Sequence, residues 1–395
     1  MKHWIALTLV FSIQATAADW RQFRGPQGNG VTSDRNLPVT LNEKDLKWTI
    51  TLPGRGLSGA LVLGEKIIVT CSSGITQNRL HILALNAKDG SLIWHRQFWA
   101  TGRTMCHGKT SVAAPTPCSD GKNIFAAFSS NDVICLDLDG NLQWLRGLTA
   151  DYANVSNSLG MSSSPLLIGS AIIVQVENDS ESYTLALNKR TGVNLWKLNR
   201  PKAANWTSPV RLTNTLIALQ SKNGIDAIRA ADGTKAWSYD GGASTIPSST
   251  LRGGVLYVPS RGITALELNE ADAENTPKEL WQSRRLSPGT GSPVVLGDKV
   301  FTTNNAGVLT AGNLKTGERL WQTRLKGPFS ATHVATATHL YCVNEAGLLQ
   351  IVDTRGKEGE ITGTLNLDDQ ILGSPAVGGG AIYVRSNAKI YKISE

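Results

Sequence analysis

A chain of 395 residues, 41% hydrophobic and 18% charged, can bury a large core, and its formal net charge of +8 is spread without any run of Lys or Arg. The densest basic pair is Arg284-Arg285, which is no nucleic-acid patch. The five cysteines (Cys71, Cys106, Cys118, Cys135, Cys342) form no C-x-x-C, which excludes zinc-ribbon, thioredoxin-like and c-type haem motifs, and their odd number leaves at least one outside any internal disulfide.

Residues 1–18 read as a secretory signal peptide. Lys2 supplies the charge, Trp4 to Ile13 the apolar run, and Ala15-Thr16-Ala17 the cleavage pattern. The run is too short to span a bilayer, no later stretch approaches eighteen apolar residues, and no cysteine near the cleavage site offers a lipid anchor. The expectation is a soluble exported protein, periplasmic or extracellular, for which nucleic acid is not a partner.

Residues 19–45 are Gly- and Asn-rich and carry Trp20 and Phe23. They are expected to run over the surface of the main domain, residues 46–393. Residues 46–51 (LKWTIT) look like the last strand of a unit that has no earlier strands. Beyond them the chain is built on a repeat, clearest at residues 291–321. Short strands at 292–296, 299–303, 308–314 and 319–321 are separated by Gly297-Asp298, a polar bend at 304–307 and Lys315-Thr316-Gly317. Such spacings are too short for helices and describe an antiparallel meander.

Trp48, Trp94, Trp144, Trp196, Trp237, Trp281 and Trp321 recur 40 to 52 residues apart. Most follow a Gly-centred turn, and a Ser/Thr/Pro strand lies upstream: Ala114-Pro115-Thr116, Ser164-Pro165, Ser208-Pro209, Ser248-Ser249, Ser292-Pro293. A four-stranded sheet at this period is the signature of a β-propeller. Residues 373–393 hold three strands and stop before any Trp, so the N-terminal strand is expected to complete that last blade and cover both open edges. The count is eight blades. The seventh unit lacks its Trp, with a fourth strand expected at 360–367, and seven blades is the alternative count.

The unit resembles the pyrroloquinoline-quinone-like (PQQ-like) propeller repeat, through Leu83-Ala84-Leu85-Asn86, Leu185-Ala186-Leu187-Asn188 and Thr191-Gly192 to Trp196, over residues 46–393. The opening Trp20-Arg21-Gln22-Phe23-Arg24-Gly25-Pro26 is similar to that of secreted bacterial members. The resemblance implies an all-β, eight-bladed quinoprotein-type propeller. It implies either of two functions, because this architecture serves catalytic quinoprotein dehydrogenases and the non-catalytic lipoprotein of outer-membrane β-barrel assembly alike. On the dehydrogenase side it implies PQQ with Ca²⁺, held by carboxylate and amide ligands that Glu177 and Asn178 would echo. The adjacent-cysteine disulfide of that branch has no counterpart here.

In such a blade the second-to-third loops and the blade-to-blade connectors share one face of the ring. The first two connectors, Trp94 to Pro115 and Trp144 to Pro165, are the long ones, and long loops on a rigid scaffold often carry function. The candidate binding residues are therefore Arg103, Cys106, His107 and Lys109 in the first connector and Asn154 and Asn157 in the second. Asn131, Asp132, Glu177 and Asn178 join them from second-to-third loops, and Asn205 and Trp206 from the next connector. Arg103 leads, because a guanidinium fork grips a carboxylate or phosphate at two points. His107 and Cys106 are adjacent in sequence, which is not a metal-ligand spacing. There is no G-x-S-x-G, Walker or EF-hand motif. The expected function is a non-catalytic scaffold for an envelope protein or polysaccharide, with no cofactor or metal; the alternative is a PQQ- and Ca²⁺-dependent oxidoreductase.

Overall fold

The computed structural model describes residues 19–155, 158–269 and 275–395; the expected signal peptide lies outside them. Among these residues the chain forms eight four-stranded antiparallel sheets. Blades one to seven span residues 61–99, 118–147, 166–199, 210–239, 250–283, 294–324 and 334–366. The eighth takes its inner three strands from 376–393 and its outer strand from Leu46–Thr51, which pairs with Lys389–Ile393. The expected closure and the count of eight both hold.

Middle strands such as Ala171–Val176 are buried along their whole length. Each is covered by a neighbouring blade on either face, so both faces can be apolar. The apolar clusters accordingly lie between blades: Ile68, Ile82 and Ala84 of the first meet Ile124, Ile134 and Leu136 of the second.

Two repeated contacts join the blades. The outer one is made by the tryptophans. Trp94, Trp144, Trp196 and Trp281 each pack against the turn glycine of the following blade, at Gly140, Gly192, Gly233 and Gly317. Each indole N–H donates to a carbonyl of the same turn region, of Leu138, Lys189, Ala230 and Leu314, at 2.9–3.1 Å. A Cβ on Gly140 would fall 2.7 Å from the Trp94 ring, and its φ of +80° also favours glycine. Trp48 repeats the contact from the closing strand, over Gly90 of blade one.

The inner contact is a girdle of hydroxyls around the channel. At the start of each inner strand a backbone N–H donates to the hydroxyl of the next blade's equivalent residue. The series runs Gly59 to Thr116, Thr116 to Ser164, Ser164 to Ser208, Ser208 to Ser248, Ser248 to Ser292, Ser292 to Thr332 and Thr332 to Ser374, at 2.8–3.0 Å. Gly59 has no hydroxyl, which interrupts the circle between blades eight and one. The girdle corrects the sequence register of blade two. Thr116-Pro117, not Ala114-Pro115, is equivalent to Ser164-Pro165, so the first connector is two residues longer than it looked.

The N-terminal segment does not lie on the ring surface as expected; it enters the channel. Trp20 is 2% exposed and exchanges backbone hydrogen bonds with Val62 of blade one. Arg21 O accepts from Ser119 of blade two, Arg24 donates to Thr250 Oγ1 and Ser249 O of blade five, and Gly30 and Thr32 bond to Ala335 of blade seven. Asp34 Oδ2 accepts from Gly380 of blade eight. Along each inner strand the girdle residue comes first and the contact to this segment lies two or three residues on: Thr116 then Ser119, Ser248 then Thr250, Thr332 then Ala335. The girdle thus rings the connector end of the channel, and residues 19–36 stopper the opposite end.

The segment then leaves between blades seven and eight, which explains the missing tryptophan. Gly363 holds the Trp position of blade seven, and a Cβ there would lie 2.6 Å from Leu41 N. Thr362 Oγ1 donates to Val39 O and Tyr341 Oη to Pro38 O across the same slot. The strand found at Glu360–Asn366 matches the expected one.

Two outcomes are expected. Deleting residues 19–36 should lower the unfolding midpoint in urea strongly, since emptying the site of a buried aromatic such as Trp20 alone typically costs about 3–5 kcal/mol. Trp48→Ala, at a half-exposed position, should cost less; equal midpoints for the deletion and the intact chain would show that the stopper carries no stability. Ser248→Ala leaves the Ser208 N–H without its partner and should cost about 1–3 kcal/mol by the same measurement.

Candidate functional site

Above the girdle lies a cavity of about 410 Å³. Its wall includes the seven girdle hydroxyls, its apolar lining Leu57, Ala114, Leu159, Trp206, Ile246 and Leu372, and its lining also includes Phe23 from the stopper. Because the stopper fills the other end of the channel, this pocket is blind and faces the connectors. Beneath it the Arg24 guanidinium sits over the Phe23 ring, 5.4 Å from the centroid, and burial pushes its pKa down to about 9.

The two long connectors build the rim. Their backbones meet where His107 N donates to Leu159 O at 3.1 Å. His107 Nδ1 accepts from Lys109 N at 3.1 Å, shaping the loop tip, and Lys109 Nζ reaches Glu345 of blade seven at 2.8 Å. Glu345 also accepts from Ser330 Oγ at 2.7 Å, and these partners hold its carboxyl below the usual range despite partial burial. Trp206 reaches across from the third connector, its indole N–H donating to Gly160 O at 2.9 Å. The exposed apolar residues Trp99, Met105, Leu159 and Ile246 belong to this region. Arg79 stacks 5.2 Å over the Trp99 ring, and Arg103 Nη2 lies 3.3 Å from Met105 Sδ.

Of the sequence-derived candidates, the cavity brings together His107, Lys109 and Trp206. Arg103 stands exposed outside it, and Cys106 lies half-buried within the first connector, its Sγ accepting from Gln77 at 3.3 Å. Asn154 is exposed and offers its carbonyl to Ser180 Oγ at 2.6 Å; Asn157 lies outside the described residues. Asn131 is buried at φ +66° in the tip of its loop. Asp132 is buried, and its carboxylate takes the Thr101 N–H, the Thr101 hydroxyl and the Ser130 hydroxyl, which ties the first connector to blade two.

Glu177, Asn178 and Asn205 are likewise engaged within the protein. Both oxygens of Glu177 accept: Oε1 from Arg200 Nε at 2.6 Å and Oε2 from Asn205 Nδ2 at 2.8 Å. Acceptance from two donors suits the carboxylate form, against a burial that pushes its pKa up. Arg200 also donates to Asp226 of blade four, so the cluster bolts blades three and four together. Asn178 caps its own loop, accepting from Ser180 N and donating to Glu181 O. A calcium set built on Glu177 and Asn178 would have to displace these bonds, and the cavity lining offers no carboxylate. Among the described residues no group of three or more His, Cys, Asp or Glu converges in a way that could hold a metal ion. Glu177 and Asn178 are thus engaged within the protein. All five cysteines are unpaired, four of them buried.

What sequence reading missed is the lining itself. The Ser/Thr residue at the start of each unit was visible as repeat grammar, but nothing in the pattern says that its side chain faces the channel. Phe23 had no signal as a lining residue.

The Glu177 cluster yields a test. Arg200→Met strands a buried carboxylate and should cost about 3–5 kcal/mol. Adding Glu177→Leu should restore a good part of that loss in urea unfolding. A silent Arg200→Met would refute the structural role.

The comparisons with known proteins come down on this architecture. The family profile described as "Outer membrane protein assembly factor BamB" matches residues 30–239, 174–273 and 267–362. The BamB of Moranella endobia is 24% identical over 208 residues, 51% of this chain and 49% of that protein. A polyvinylalcohol dehydrogenase from a Pseudomonas species is 24% identical over 190 residues, 43% of this chain and 28% of that protein. These alignments therefore span half or less of the curated relatives. Among solved structures, BamB from Moraxella catarrhalis superposes with a TM-score of 0.66 at 17% identity, over 89% of this chain and 97% of that one. A europium-containing methanol dehydrogenase gives 0.70 at 13% identity, over 95% and 98%. At such identities the superpositions establish the propeller fold alone, while the profile covers most of the ring: the chain belongs to the family of the outer membrane protein assembly factor BamB.

Proposed function

We propose that this protein is an exported, non-catalytic scaffold that holds an envelope protein on the connector face of its ring. One observation carries the reading. Residues 19–36 stopper the channel from the turn face, so among the described residues the channel opens at the connectors, where the two longest of them gather exposed apolar and basic side chains. Trp99 is 59% and Met105 52% exposed, beside Arg79 and Arg103. Aromatic, Met and Arg side chains of this kind are the enriched anchors of protein interfaces. The match to the BamB family supports the same role. No helix among the described residues is long and apolar enough to cross a membrane.

The second reading, a PQQ-dependent oxidoreductase, draws on the likeness to dehydrogenases and on Trp206 in the channel wall. The Glu177 and Asn178 side chains, tied into the protein, argue against its metal.

Affinity capture from an envelope extract, with crosslinking, tests the choice. The intact protein should retain a reproducible protein partner, and Trp99→Ala with Arg103→Ala should reduce capture at least tenfold while the urea midpoint shifts by no more than about 0.5 kcal/mol, as for exposed positions generally. Lys315→Ala, in a turn on the opposite face, should leave capture unchanged. Failure to retain any protein, together with dye reduction on adding PQQ and Ca²⁺, would replace the scaffold reading with the enzymatic one.

A further inference from the structure

The chemistry of the blind pocket narrows what can enter it. Each of the seven girdle hydroxyls accepts one backbone N–H from the preceding blade. A Ser or Thr hydroxyl also carries one donor hydrogen. Among the described residues, none of these seven hydrogens is used by a protein acceptor, so the wall presents a ring of O–H donors held in place by their accepted bonds. Thr110 adds an independent mark. It lines the same pocket, is 8% exposed, and its Oγ1 has no hydrogen-bond partner, although buried polar atoms are normally paired.

The charges point the same way. Among the described residues the ionisable ones of the lining are His107 and Lys109, and no carboxylate is among them. Lys109 is shared with Glu345 but remains 60% exposed at the rim. An entering ammonium group would find one remaining lone pair on each girdle hydroxyl, but no carboxylate among the described lining residues, and would meet the Lys109 cation at the rim. An entering carboxylate would meet donors for both of its oxygens, and hydrogen bonds to an ionised acceptor are the stronger kind. Between the donors lie apolar surfaces, Leu57, Trp206 and Leu372, with Phe23 from the stopper. Leu159 and Ile246 continue that surface outward, 42% and 46% exposed.

We infer that the pocket captures the C-terminus of a partner polypeptide, entering end first. The free carboxylate lies against the girdle hydroxyls, the last apolar side chain packs on Trp206 and Leu372, and the residues before it cross the rim over Leu159 and Ile246. The stopper decides for a chain end, because a blind pocket admits an end and cannot be threaded. The apolar rim decides for a polypeptide over a small free acid, which would leave Leu159 and Ile246 uncovered. This inference rests on the scaffold reading above and names the part of the partner that is held. Capture of C-terminal carboxylates by preorganised donors is an established mode of peptide recognition.

The test is fluorescence anisotropy with the full chain and a dye-labelled six-residue peptide ending in leucine, as the free acid and as the C-terminal amide. The free acid should bind, and the amide at least tenfold more weakly. Ser162→Trp fills the pocket from its wall at a position with no part in the girdle, and should weaken the free acid at least tenfold. Its urea midpoint, measured alongside, shows whether the fold is kept; a soluble small carboxylate, phenylacetate, serves as competitor. Equal binding of acid and amide, indifference to Ser162→Trp in a folded variant, or phenylacetate binding as tightly as the peptide would each overturn the assignment. Loss of the peptide result with envelope-protein capture intact removes this inference and leaves the scaffold reading standing, whereas loss of both removes both.

Discussion

Seven of the eight blades depend on a hydrogen bond they cannot make by themselves: the N–H that opens the inner strand is satisfied by a hydroxyl from the next blade, the exception being the step from blade eight to Gly59. Near the axis the inner strands are only two or three residues long, as at Cys118–Ser119, Val210–Arg211 and Val334–Ala335. Strands so short offer few ladder bonds, and a buried N–H left unpaired costs about 1–3 kcal/mol. A side-chain acceptor supplied by the neighbour meets that need and fixes the angular step between blades. At the periphery the tryptophans set the same step with apolar area and a second hydrogen bond. The inner girdle and the outer latch both act between neighbours, so the repeat is the property of a pair of blades more than of one.

The N-terminal segment uses the exception to the outer contact. Gly363 replaces the tryptophan of blade seven, and the freed slot admits residues 38–41. From there the chain supplies the outer strand of blade eight, whose Trp48 restores the latch on blade one. Upstream, the same segment places Trp20 and Arg24 inside the channel. One stretch of about thirty residues therefore closes the ring and closes one end of the channel, and the two closures are mechanically coupled because the chain between them is pinned at Asp34, Pro38 and Val39.

The ring was legible in the sequence because its signals are local. A turn glycine, a tryptophan and a Ser-Pro step recur in fixed order, and blade closure is implied by a strand that lacks partners at one end and three strands that lack a fourth at the other. The stopper was not legible. Its residues are polar and Gly-rich, as surface segments are, and Arg24 becomes buried only because Thr250 and Ser249, more than two hundred residues away, supply its acceptors. Glu177 failed as a candidate ligand for the same reason. A Glu-Asn pair at a loop tip has the composition of a cation site, but Arg200 comes from the end of the same blade's fourth strand and Asn205 from the connector beyond it. His107 and Lys109 were found because the length of a connector is a property of the sequence itself, and Trp206 because the next connector shares their face of the ring.

That contrast bears on how function is divided in this fold. The polar groups that look most like chemistry, the Glu177–Arg200–Asp226 cluster and the Asp132 network, are fully engaged in holding blades and connectors. The groups with capacity left over at the pocket are modest ones: seven hydroxyls with an O–H each, the Thr110 hydroxyl, and a lysine at the rim. Hydroxyls held this way neither activate a nucleophile nor bind a metal tightly, but they are well suited to recognition, because their positions are fixed by bonds the ring needs in any case. A propeller whose girdle both joins the blades and lines the pocket cannot lose one role without the other, since altering a wall hydroxyl loosens the step between two blades. Variation in the cavity is then left to the lining side chains outside the girdle, such as His107, Leu159, Trp206 and Phe23.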